Sequence, residues 1–216
     1  MGKTLTFLGS DAGYGEENNS AFIEHNGKLT IIDCGYTVFN KVKKIFDFSR
    51  FNYIEVIVTH LHNDHAGSLS QLILYAYFEC NRKITVVSGC KNIKQYLNLC
   101  GTPDEAYEVL PKTNNIKMIK TQHTPYLDCY GFIIELDNKK IVYTGDTKTL
   151  EPFIKYLDGA NELYVDVSKN GGAHIKIENI IEKLTNIKDS GVEVYLMHID
   201  DKEFVRNIVN NQFTIV

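Results

Sequence analysis

Residues 59–67 read Thr59-His60-Leu61-His62-Asn63-Asp64-His65-Ala66-Gly67. Four side chains with metal-donor atoms, His60, His62, Asp64 and His65, fall within six positions in the order His-x-His-x-Asp-His. The apolar run Ile54 to Val58 leads directly into them. A short run of this kind reads as a buried strand, which puts the donors on the turn at its exit. A strand end holds side chains in place while leaving them open to solvent. Imidazole and carboxylate together suit zinc, manganese or iron.

The rest of the chain is an ordinary globular background for this motif. Its 216 residues allow one domain with a full-sized core. Hydrophobic residues make up 44% and charged residues 23%, typical of a water-soluble fold. No apolar run approaches the roughly 20 residues that span a bilayer, so no membrane partner is expected. The N-terminus enters a strand at Leu5, Phe7 and Leu8 without the pattern of a signal peptide, and the expected location is the cytoplasm. The five cysteines (Cys34, Cys80, Cys90, Cys100, Cys129) are odd in number and widely spaced, with no Cys-x-x-Cys pair, so they form no disulfide framework. The net charge of −4 argues against a large nucleic-acid footprint. A small phosphate substrate remains compatible, because bound metal ions add local positive charge.

Strand-like runs appear at Thr4–Leu8, Ser20–Glu24, Leu29–Asp33, Ile54–Thr59, Ile84–Ser88, Ile116–Thr121, Gly131–Leu136, Lys140–Thr144, Leu163–Val167 and Val192–Met197. Helical patterns appear near Val38–Phe48, Gly67–Phe78, Ile93–Leu99, Leu150–Leu157, Ile175–Ile187 and Lys202–Asn210. Asn26-Gly27 and Asp137-Asn138 are hairpin signals. Two sheets covered by helices on their outer faces satisfy this order. With only 4 prolines and no Ser/Gly tract, residues 1–216 read as a single domain.

Beyond the motif, His123 follows Ile116–Thr121, Asp146 follows Lys140–Thr144 within Thr144-Gly145-Asp146-Thr147, and His198 follows Val192–Met197. Each is a metal-donor side chain at a strand exit. If these strands share a sheet edge, their exits converge on one place. His25 precedes Asn26-Gly27 and reads as a solvated turn residue.

The ordered set Asp33, His60-x-His62-x-Asp64-His65, His123, Asp146 and His198 resembles the metallo-β-lactamase superfamily over nearly the whole chain. The resemblance implies an α/β fold, an αββα sandwich of two mixed β-sheets flanked by helices, with a dinuclear metal site at one sheet edge. It implies two divalent ions, Zn2+ with Mn2+ or Fe as alternatives. His60, His62 and His123 would hold one, Asp64, His65 and His198 the other, and Asp146 would bridge them. Asp33 would orient ligands rather than bind metal.

Within the superfamily, Asp146 in place of Cys and His62 in place of Glu point away from the zinc β-lactamases and the flavodiiron proteins. Cys129-Tyr130-Gly131-Phe132-Ile133-Ile134 and Lys140-Ile141-Val142-Tyr143-Thr144-Gly145-Asp146-Thr147 resemble strands of the ribonuclease Z branch. His174 and Asp166 match a phosphate-contacting His and its acidic support there, although that family has Glu where this chain has Asp166 and His where it has Val165. His174 also stands at the start of the predicted helix Ile175–Ile187, where the helix dipole would favour a phosphate. The long Gly/Pro-rich arm of transfer-RNA-processing members has no counterpart here. The resemblance therefore implies a compact phosphodiesterase acting on a small or cyclic nucleotide or a short nucleic acid, with Asp64, His174 and Asp166 catalytic, and a homodimer. The alternatives are a ribonuclease Z-like RNA 3′-end endonuclease and a thioester hydrolase of the hydroxyacylglutathione hydrolase type. The glycine-rich stretch Gly9–Gly15 would border the site.

Overall fold

The run Ile54–Val58 is apolar at every position but Glu55 because both of its faces are covered. In the computed structural model, which describes residues 3–216, Ile54, Val56 and Val58 face one core and Ile57 another. The first sheet is built from β1 (Thr6–Gly9), β2 (Ser20–His25), β3 (Lys28–Ile32), β4 (Tyr53–Ile57), β5 (Ile84–Val87) and β6 (Tyr107–Leu110), neighbours in sequence order. β1, β2 and β3 pair antiparallel, and β3 to β6 pair parallel. Parallel neighbours need a crossover, and helices supply it. α1 (Val38–Ile45) joins β3 to β4, α2 (Asn63–Ala66) and α3 (Leu69–Phe78) join β4 to β5, and α4 (Ile93–Leu99) lies before β6.

The second sheet repeats the plan with β7 (Ile116–Lys120), β8 (Tyr130–Leu136), β9 (Lys139–Tyr143), β10 (Glu162–Asp166), β11 (Glu193–Met197) and β12 (Thr214–Ile215). Again the first three strands pair antiparallel and the rest parallel. The crossovers carry α5 (Ile154–Leu157), α6 (Ile181–Asp189) and α7 (Lys202–Val209). Both hairpin signals hold. Asn26 (φ 50°) and Gly27 (φ 75°) close β2 on β3, and Asp137 (φ 52°) closes β8 on β9, the left-handed backbone such turns need.

Three cores make the four layers. α1, α3 and α4 cover one face of the first sheet. α6 and α7, with Leu150 and Phe153 ahead of α5, cover one face of the second. Between the sheets lie Ile32, Ile57, Phe132, Ile141, Tyr143, Tyr164, Tyr195 and Met197. Along β10 the alternation is clean: Leu163 and Val165 point to the helices, Tyr164 to the other sheet. Asp166 shares the parity of Tyr164, so the same strand delivers it toward the space between the sheets.

Two strands escape the sequence reading. β6 has four residues and β12 two, too few for a period to register, and each exists by pairing with a neighbour already in place. The predicted helix Leu150–Leu157 begins as a 3-10 turn, Glu151–Phe153, with Pro152 in it, since proline has no N–H for the ladder. The helix predicted from Val38 to Phe48 stops at Ile45. Among the described residues no helix is long and apolar enough to cross a membrane.

Truncating the inter-sheet core tests this arrangement. Phe132 is fully buried and stacked on Tyr143 with ring centroids 4.7 Å apart. Phe132→Ala is expected to cost about 3–5 kcal/mol, read as a lower denaturation midpoint with an unchanged denaturant slope.

Candidate metal centre and active-site cleft

The parallel strands end at one edge of the molecule, and the donor residues sit just past those ends. Residues 59–65 follow β4, His123 follows β7, Asp146 follows β9, and His198 follows β11. β7, β9, β10 and β11 all run in one direction, so their exits share an edge. There they meet the motif carried by the first sheet. His60, His62, His123 and Asp146 present donor atoms that all lie within 4.8 Å of one another, as do Asp64, His65, Asp146 and His198. Each group could hold one divalent ion, and Asp146 belongs to both.

The inward-facing atoms are crowded. His60 Nε2 lies 3.0 Å and His123 Nε2 3.3 Å from His62 Nδ1. His65 Nε2 lies 3.3 Å from His198 Nε2. Asp146 Oδ2 stands 3.6 Å from His60, 3.4 Å from His65, 3.6 Å from His123 and 3.5 Å from His198. A facing pair of imidazole nitrogens is satisfied only where one of the two carries the proton. Asp146 Oδ1 is buried with no hydrogen-bond partner. Buried polar atoms are normally satisfied, and divalent cations at this spot would satisfy these. The donor set therefore fits a metal centre of nitrogen and oxygen ligands.

The outward-facing atoms are held in place. His65 Nδ1 donates to Asp33 Oδ2 at 2.8 Å. The Thr59 hydroxyl donates to the same carboxylate at 2.8 Å and lies 3.1 Å from His60 Nδ1, so it can accept from that ring. His123 Nδ1 donates to the Ala173 carbonyl at 2.9 Å. Such contacts select the tautomer whose other nitrogen is free for metal. Asp33 thus sits as the resemblance implies, behind His65. Asp33 (φ 57°) and His198 (φ 55°) hold left-handed backbones, strained for side-chain-bearing residues and typical of functional sites.

The electrostatics favour a cation. Burial would raise the Asp146 pKa, but His198, His65 and His60 outweigh it and hold the carboxyl well below its usual range. Burial opposes charge on His198 too, yet Asp146, Asp166 and Asp64 push it up to about 10. His65 is carried well above its usual value against burial by Asp146 and Asp33. His60 goes the other way, lowered by burial and by His65. The field that keeps protons on imidazoles here is the field a divalent ion would use in displacing them.

His174 stands at the edge of this cluster. Its Nδ1 donates to Asp166 Oδ2 at 2.8 Å, and its ring lies 4.9 Å from that of His123 and 5.0 Å from that of His198. Asp166 reaches it despite being Asp, and also accepts from the Thr147 N–H at 2.9 Å. Burial lowers the His174 pKa, but Asp166 and Asp146 together outweigh it, so the net shift is upward. The placement at a helix start is corrected: α6 begins only at Ile181. Residues 168–177 double back instead, with Ser168 N donating to Ile175 O and Ile177 N to Ser168 O at 2.8 and 2.9 Å. Gly171 (φ 73°) and Gly172 (φ 77°) make that reversal possible. His174 thus stands outside α6, and its hydrogen bond to Asp166 orients the ring.

Above the cluster opens a cleft of about 950 Å3, lined by His62, Asp64, His123, Asp146, His174 and His198, with Gly13 and Tyr14 on one rim. Sequence reasoning missed Thr59, whose contact with three other residues has no local signature, and the Ala173 carbonyl, which has no side chain to read. It placed the glycine-rich stretch correctly beside the site: a Cβ on Gly13 would lie 3.3 Å from the Asp64 carboxylate. His25 lies in its hairpin turn beside Asp137, outside the donor groups.

The fold is the metallo-β-lactamase fold. A metallo-β-lactamase fold protein, YhfI, from Bacillus subtilis superposes with a TM-score of 0.78 at 20% identity, over 98% of this chain and 95% of that one. The short form of human tRNase Z superposes at 0.71 with 17% identity, over 92% and 93%. The chain belongs to the Anti-Pycsar protein Apyc1 family, whose profile matches residues 3–97 and 86–215. An Anti-Pycsar protein Apyc1 of Bacillus phage 010DV004 is 24% identical over 91% of this chain and 89% of its own length.

Asp146→Ala removes the one side chain common to both donor groups. The expected result is loss of at least one tightly held ion per chain by elemental analysis, and two retained ions would refute its shared position. In metal-loaded protein, acidification or a chelator should release metal as the imidazoles take up protons and should lower Tm in step.

Proposed function

We propose that this chain is a dinuclear metal-dependent phosphodiesterase that hydrolyses the phosphodiester of a small or cyclic nucleotide. The observation that carries the reading is His174, held by Asp166 in the same cleft as the two donor groups. A metal centre alone serves many hydrolases. A second cationic or proton-donating group, set beside it and tied to a buried carboxylate, suits a substrate that carries negative charge and needs its leaving oxygen protonated. Membership of the Anti-Pycsar protein Apyc1 family supports the same substrate class.

In this reading His60, His62, His123 and Asp146 hold one ion, and Asp64, His65, Asp146 and His198 the other, with zinc the first choice for such a donor set. When bound, the pair supplies positive charge for the phosphate oxygens and acidifies a water to serve as nucleophile near neutral pH. Asp64 accepts the proton of the attacking water. His174, with Nδ1 engaged by Asp166, presents Nε2 to the phosphate and gives its proton to the departing ester oxygen. Water adds to phosphorus, one P–O ester bond breaks, and a monoester remains. Asp33, Thr59 and the Ala173 carbonyl keep the imidazoles aimed throughout.

His174→Ala is expected to retain its metal and lose about 10²–10⁴-fold in kcat; metal loss in proportion to activity would make His174 a ligand and overturn its role. The reading as a whole is tested by offering the metal-loaded protein 3′,5′- and 2′,3′-cyclic nucleotides, a transfer-RNA precursor and a glutathione thioester. Cyclic nucleotide turnover is expected. Turnover of the thioester alone, or of the RNA alone, would replace this function with the corresponding alternative.

A further inference from the structure

Two tyrosines stand at the lip of the cleft and have no part in the chemistry above. Tyr14, between Gly13 and Gly15, is fully exposed, and Tyr36 is 49% exposed. Both line the cleft with His62, Asp64 and His174. An exposed tyrosine on a loose loop would carry little meaning, but this loop is not loose. Asp11 is ion-paired to Lys202 and accepts from the Glu17 N–H at 3.0 Å. Ala12 N donates to Ile199 O at 3.1 Å, and Ile199 N to Ser10 O at 2.9 Å, which joins the loop to the residue after His198. The Tyr36 hydroxyl donates to the Gly13 and Gly15 carbonyls at 3.2 and 3.3 Å. Gly13 leaves so little room that an added Cβ would lie 3.3 Å from the Asp64 carboxylate. The backbone is thus clamped against one side of the donor cluster, and it holds the exposed Tyr14 ring at the lip of the cleft.

We infer that Tyr14 and Tyr36 form an aromatic lip that receives the nucleobase while the phosphate occupies the His/Asp centre, an inference that rests on the cyclic-nucleotide reading above. In a cyclic mononucleotide only the ribose separates base from phosphate, so a phosphate at the centre puts the base at the margin of the same cleft. Among the described residues that line it, Tyr14 and Tyr36 are the only ones with a phenyl-type ring; the others are imidazole, carboxylate, hydroxyl, amide or small side chains. An aromatic ring is the side chain that gains most from a base face in water. Tyr36, tied through its hydroxyl, is the fixed surface, and Tyr14 is the ring with free area to lose.

The test compares kcat/KM of the metal-loaded enzyme for 3′,5′-cyclic adenosine monophosphate and for the base-free analogue 1-deoxyribose 3,5-cyclic phosphate. In Tyr14→Ala the ratio of the two is expected to fall about tenfold or more, chiefly through KM for the base-bearing substrate, and Tyr14→Phe should restore it. Tyr36→Phe should keep the ratio, because the ring remains. Equal losses on both substrates would mean that Tyr14 acts through its loop on the centre, and no loss on either would mean that it touches no substrate; each overturns the inference alone. A wild-type enzyme inert toward both cyclic phosphates would overturn the phosphodiesterase reading, and the aromatic lip with it.

Discussion

A single buried carboxylate oxygen ties the two halves of the molecule together. Asp146 Oδ2 comes from the second sheet and lies within 3.6 Å of His60 and His65 from the first, as well as of His123 and His198 from its own. A carboxylate this deeply buried is strongly unfavourable unless countered, and a group of imidazoles packed this closely is unfavourable in the absence of a shared cation. Neither set would hold this geometry alone. The three apolar cores supply the rigidity that keeps them together, and Asp33 and His198 hold left-handed backbone at the same place.

The repeated plan of the two sheets explains how the chain delivers so many donors to one point. Each half is an antiparallel meander continued by parallel strands. Parallel strands end on one side, so every exit is a chance to place a side chain at the same edge. The first half places four donors on the turn and short helix α2 that follow β4. The second half places one residue per strand end, His123, Asp146 and His198, with Asp166 as the last residue of β10. The centre is complete only when the sheets are docked face to face, so the inter-sheet aromatics Phe132, Tyr143, Tyr164 and Tyr195 are structural supports of the chemistry.

One loop serves both the donor cluster and the cleft wall. The Ala173 carbonyl holds His123, and His174, the next residue, reaches Asp166. A shift of this loop would change both the orientation of His123 and the position of His174. The glycine-rich loop is coupled in the same manner on the other rim, through Gly13 against Asp64 and Ala12 bonded to Ile199. Both walls of the cleft are therefore bonded to residues that touch the donor groups, which makes the cleft's shape and the centre's geometry one property.

The sequence by itself determined the donor types, their order and their position at strand exits, because period-two alternation and a six-residue motif are local signals. It also determined both hairpins, since Asn26-Gly27 and Asp137 favour left-handed backbone. Tertiary structure alone decided which exits meet. It made edge strands of Tyr107–Leu110 and Thr214–Ile215, and kept residues 175–180 out of the helix so that the chain could double back over Ser168. Thr59 between Asp33 and His60, the Ala173 carbonyl under His123, and a bare tyrosine on a clamped loop were likewise set by contacts between residues far apart in the chain. Local pattern records what a segment prefers; a site made from seven separated segments exists only where packing satisfies all of those preferences at once.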